Sequence, residues 1–147
     1  MKSAWPLVCC CMAAWMLSVA SARADVVLDW NDLALDCIRN DNTGPTTSTR
    51  NLAILHTAIY DAVNSVTRAH QPYLLQLSTP TNTSVEAAAV GAAYQIIVTL
   101  YPSYAAWADE LYDQFLESAT PGAALTNGLD LGWWVAMLTL ESRSDDG

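Results

Sequence analysis

Residues 50–66 read Arg50-Asn51-Leu52-Ala53-Ile54-Leu55-His56-Thr57-Ala58-Ile59-Tyr60-Asp61-Ala62-Val63-Asn64-Ser65-Val66, and this stretch decides the fold class. Leu52, Leu55, Ile59, Ala62, Val63 and Val66 recur at helical spacing and fall on one face. Thr57, Asp61, Asn64 and Ser65 fall opposite them, the polar side of an amphipathic helix starting near Thr49. Ile54 lies beside Asp61, away from the apolar stripe, which points to partial burial of the polar side too. Such a helix needs apolar neighbours, and the flanking sequence supplies them.

Upstream, Trp30, Leu33, Ala34, Cys37 and Ile38 follow the same period, with Asp29 available as a cap and Arg39 near the far end. Residues 40–48 (NDNTGPTTS) read as a loop. Downstream, residues 67–82 carry Pro72, Pro80 and many hydroxyl residues, and read as an extended loop wrapping the helices. Thr83 and Glu86 match a capping box that opens a helix to about Leu100, with Ala88, Gly91 and Ala92 forming a thin patch for close helix approach. After Tyr101-Pro102, Ser103 can cap a fourth helix whose inner stripe is Tyr104, Trp107, Ala108, Leu111, Tyr112 and Phe115. A fifth helix begins near Leu125 or Thr126 and runs to Ser142, apolar on most of its circumference. The expectation is an all-α fold of about five helices with one long wrapping loop, read as an incomplete helical domain.

Composition narrows the function. Residues 1–24 have a basic start, an apolar run and Ala22-Arg23-Ala24, the pattern of a secretory signal peptide; the product is expected to be exported, periplasmic or extracellular. Lys2 is the sole lysine, and after processing four arginines face 15 acidic residues, a net of −11. That balance excludes a nucleic-acid footprint and polybasic attraction to anionic lipid. The 52% hydrophobic content excludes a disordered acidic tail. Cys9, Cys10 and Cys11 leave with the leader, so Cys37 has no intramolecular disulfide partner. The 85–100 stretch is short and interrupted by Gln95 and Thr99, so the mature chain is not expected to span a membrane.

Chemistry-bearing motifs are sparse. His56 and His70 are the only imidazoles, and neither sits in a zinc-helix arrangement. Phosphate-loop, dinucleotide and nucleophile-elbow motifs are absent. Arg50, His56 and Asp61 are spaced to contact other segments rather than each other. With Tyr60, Asn64 and Arg143 they form the candidate structural network; no residue is assigned a catalytic, cofactor-binding or metal role.

The segment quoted above, with its pattern Ala53, His56, Ala58 and Tyr60-Asp61-Ala62-Val63-Asn64, resembles the N-terminal helical region of secreted vanadium-dependent haloperoxidase-like proteins. These are similar to type 2 phosphatidic-acid phosphatases. The flanking VLDWNDLALDCIR, AAAVGAAYQIIVTLYP and LGWWVAMLTLESRSDDG extend the resemblance over most of residues 27–147. The resemblance implies a mainly helical enzyme that, when complete, binds vanadate and uses peroxide to oxidise halide, or hydrolyses phosphate esters in phosphatase relatives. Its oxyanion site is implied to use a lysine, arginines, a Ser-Gly-His segment and a second histidine. This chain has no Ser-Gly-His segment and no mature lysine, so vanadate is implied only for a complete protein. The expected partner is a missing C-terminal domain or an oligomeric helix partner, and this chain alone is expected to be inactive. The alternatives are a noncatalytic secreted helical interaction module, or a fragment of a related acid-phosphatase-like phosphomonoesterase.

Overall fold

The computed structural model describes residues 25–146; the expected leader, Lys2 and the three cysteines at 9–11 lie outside the described residues. Among the described residues the chain is all-α: α1 (Val26–Asp41), α2 (Pro45–Thr67), α3 (Val85–Leu100), α4 (Ala105–Ser118) and α5 (Ala123–Ser142), with a 3-10 turn at Pro102–Tyr104.

Helix α3 is the hub. Its sequence is alanine-rich, and Ala87 to Ala93 are all buried. Small side chains let α5 cross it nearly backbone to backbone. A Cβ on Gly132 would lie 2.3 Å from the Ala88 carbonyl oxygen, and one on Gly91 would lie 2.5 Å from that of Leu129. Only hydrogen fits at these positions, so the expected thin patch of Ala88, Gly91 and Ala92 meets Gly128 and Gly132 of α5. The larger core residues, Trp30, Ile54, Leu55, Ile96 and Ile97, fill the space between α1, α2 and α3. Aromatic edges close the α4 side: Tyr94 stacks 4.6 Å from Tyr112, and its hydroxyl donates to Asp109 at 2.8 Å. That hydrogen bond, burial and the nearby carboxylates hold the Tyr94 phenol above its usual pKa.

Several boundaries differ from the sequence reading. Helix α1 starts three residues before Asp29, capped by Asp25, whose carboxylate accepts from Val27 N–H. Val26 and Val27 extend the apolar stripe back one turn, which favours the earlier start. Helix α2 starts at Pro45 rather than Thr49, because proline at a first helical position loses no hydrogen bond. The cap of α3 is Ser84 rather than Thr83; the Thr83 hydroxyl is engaged with Pro80 O at 2.8 Å, and Ser84 accepts from Ala87 N–H. Ser103 lies within the 3-10 turn and is not the cap of α4. Trp107, expected inside, is 41% exposed and stacks beside Tyr104 at the surface. Among the described residues no single helix is long and apolar enough to cross a membrane.

Candidate functional site

The polar side of α2 is buried. Asp61, Asn64 and Ser65 have almost no solvent exposure, and no ion pair among the described residues includes Asp61. Buried polar atoms must find hydrogen bonds, and here they come from the 68–84 segment laid across the helix. Asp61 Oδ1 accepts from Tyr73 N–H at 2.8 Å. Asp61 Oδ2 accepts from Leu74 N–H at 2.8 Å and Leu75 N–H at 2.9 Å. Asn64 grips His70 at both ends of its peptide unit, donating to the carbonyl at 2.8 Å and accepting from N–H at 2.9 Å. Ser65 Oγ accepts from Leu77 N–H at 3.0 Å, and the Tyr60 hydroxyl donates to Gln71 O at 2.8 Å. Four side chains on two turns of helix therefore hold a strap that has no regular structure of its own.

Tyr73 carries the strap on to a second cluster. Its side chain lies near the Arg143 guanidinium, which pairs with Asp146 at 3.2 Å. Those contacts, Asp146 first, raise the Arg143 pKa above its ordinary value. Arg50 Nη2 donates to Arg143 O at 2.6 Å, and its Nε lies 3.8 Å from Asp146 without a hydrogen bond. Arg50 thus ties the first turns of α2 to the residues just past α5. Of the six residues singled out in the sequence, Arg50, Tyr60, Asp61, Asn64 and Arg143 converge on this strap and its anchor. His56 stands apart: it is exposed, with Nε2 lying 3.1 Å from Asn31 Oδ1 on α1.

These residues do not fit an oxyanion such as vanadate. Such a ligand needs converging free donors and positive charge. Arg50 and Arg143 are instead turned onto a backbone carbonyl and the carboxylate of Asp146, which places negative charge between them. His56 is six residues further along α2 from Arg50, about 9 Å of helix rise, and contacts α1. Among the described residues no cluster of three His, Cys, Asp or Glu side chains is arranged to hold a metal. Cys37 is fully buried, and desolvation, with Asp36 and Asp41 nearby, pushes its thiol up to about 11, which suits a packing residue rather than a nucleophile. A cleft of about 170 Å³ between α1 and α4, lined by residues including Val26, Trp30, Gln114 and Phe115, contains no imidazole, thiol or guanidinium.

Sequence reasoning missed Ser65 as a strap acceptor and Asp146 as the carboxylate between the arginines. The available signal for Ser65 was its place one turn after Asp61 on the side marked by Ile54. The Gly128 and Gly132 pair, four residues apart, was the unread counterpart of the small patch on α3. No protein-family model matches this chain, and neither a curated protein nor a solved structure does.

Proposed function

We propose that this chain is the N-terminal structural part of an exported haloperoxidase-like enzyme, and that its polar α2 face is a clamp rather than a reaction centre. The observation that carries the reading is the use made of Tyr60, Asp61 and Asn64. These residues carry the family resemblance, and each is spent on backbone groups of the 70–75 strap. A fully buried carboxylate that accepts from three strap amides is out of a substrate's reach. In this reading the chemistry belongs to a downstream C-terminal domain with the lysine, arginines and Ser-Gly-His segment, and vanadate belongs there as well.

The test is the coding sequence beyond Gly147. An open frame that continues into a lysine- and arginine-bearing motif and a Ser-Gly-His segment is the expected result. A stop codon directly after Gly147 would contradict it. That outcome would favour the second reading, a noncatalytic exported interaction module, for which the exposed Trp133, Trp134 and Met137 on α5 argue.

A further inference from the structure

Helix α5 turns one face to α3 and a different one to solvent. Gly128, Leu131, Gly132, Val135, Ala136 and Thr139 are buried. The outer face runs Asp130, Trp133, Trp134, Met137 and Glu141 at helical spacing. Trp133, Trp134 and Met137 are 41%, 54% and 38% exposed, and the two indoles pack edge to face with centroids 4.7 Å apart. Beside Trp134 the strap and α5 leave a cleft of about 200 Å³, lined by Leu77, Pro80, Asp130, Leu131 and Trp134 among others. That volume suits one long side chain.

The charges around this face choose its occupant. Asp130 and Glu141 are both exposed, one on either side of the indoles, and no ion pair among the described residues includes them. A second copy laid on the same face would bring carboxylates against carboxylates in a chain of net charge −9. An anionic lipid surface is repelled for the same reason. A cationic group gains twice, from the carboxylate of Asp130 and from the face of an indole one helical turn away.

We propose that the outer face of α5 docks a basic amphipathic helix of another polypeptide. Its apolar stripe covers Trp133, Trp134 and Met137, and an arginine or lysine enters the cleft between Trp134 and Asp130. The proposal does not depend on the haloperoxidase reading, since it uses neither the clamp nor the arginine pair.

The test uses the secreted chain and a short Lys/Leu amphipathic helical peptide, with its Glu/Leu counterpart for comparison. The Lys/Leu peptide should shift indole fluorescence saturably, and the Glu/Leu peptide should not. Trp134→Ala and Asp130→Asn should each weaken binding by about tenfold, whereas Trp107→Ala on α4 should change it by less than about twofold. Because Asp130 is exposed, its variant keeps the fold, and unchanged helical circular dichroism checks this. Equal binding of both peptides, or indifference to Asp130→Asn, overturns the proposal. So do concentration-dependent dimers by light scattering, binding to phosphatidylglycerol vesicles in place of the peptide, and Trp133 and Trp134 already shielded from acrylamide by the chain's own residues.

Discussion

Replacing Asp61 by alanine removes the acceptor of three backbone N–H groups at 2.8, 2.8 and 2.9 Å, at a position with no solvent exposure. A hydrogen bond to a charged group contributes about 1.5–3 kcal/mol, and three sharing one carboxylate contribute less than three times that. The strap offers a partial escape, because Tyr73 and Leu74 are exposed and their amides can reach water once it lifts. The expected loss is therefore about 3 kcal/mol, a fall in Tm of roughly 10 °C for a domain of this size. Asp61→Asn keeps one acceptor but turns an NH2 donor toward donors, and should lose about 2 kcal/mol. Denaturant unfolding gives the stability, and amide hydrogen exchange gives the location: protection should fall first at Tyr73, Leu74 and Leu75 while α3 keeps its own. A variant within about 0.5 kcal/mol of the parent, with those amides still protected, would refute the clamp.

Three further predictions follow from the packing and the charges. Gly132→Ala should destabilise by about 1–3 kcal/mol, despite the better helix propensity of alanine, because the new Cβ meets the backbone of α3 at 2.3 Å; a Tm equal to the parent's would contradict the close crossing. Arg50→Ala should cost about 1 kcal/mol through loss of the bond to Arg143 O, with faster exchange confined to the end of α5; unchanged exchange there would count against the anchor. The Cys37 thiol is raised from 9.0 to about 11, so the folded state holds its proton more tightly than the unfolded state. Its contribution is complete below pH 9 and is lost as pH rises from 9 towards 11, by an amount on the order of 2 kcal/mol. Cys37→Ala should flatten that alkaline limb in denaturant unfolding, and an unaltered limb would argue against it.

The periodicity of 50–66 made α2 legible, and the all-α architecture followed from repeating the same reading along the chain. The wrapping loop was legible as a segment too rich in proline and hydroxyl groups to form a helix. Its grip on α2 was not. A helix face of Asp61, Asn64 and Ser65 normally faces water, and only a segment returning from 70–77 turns it inward. Ile54 on the same side was an apolar sign of that cover. Cap positions slipped because Thr83 and Ser84 are equally able caps, and the choice depends on Thr83 finding Pro80 O. The arginine anchor joins residues 93 apart in sequence, a distance over which spacing carries no information.

On the reading proposed above, Tyr60, Asp61 and Asn64 hold the strap and no oxyanion site forms between Arg50 and Arg143. Vanadium analysis of purified residues 25–147, after incubation with vanadate and removal of free ion, checks this. No stoichiometric vanadium is expected. A retained equivalent that is lost in Arg50→Ala or Arg143→Ala would contradict it.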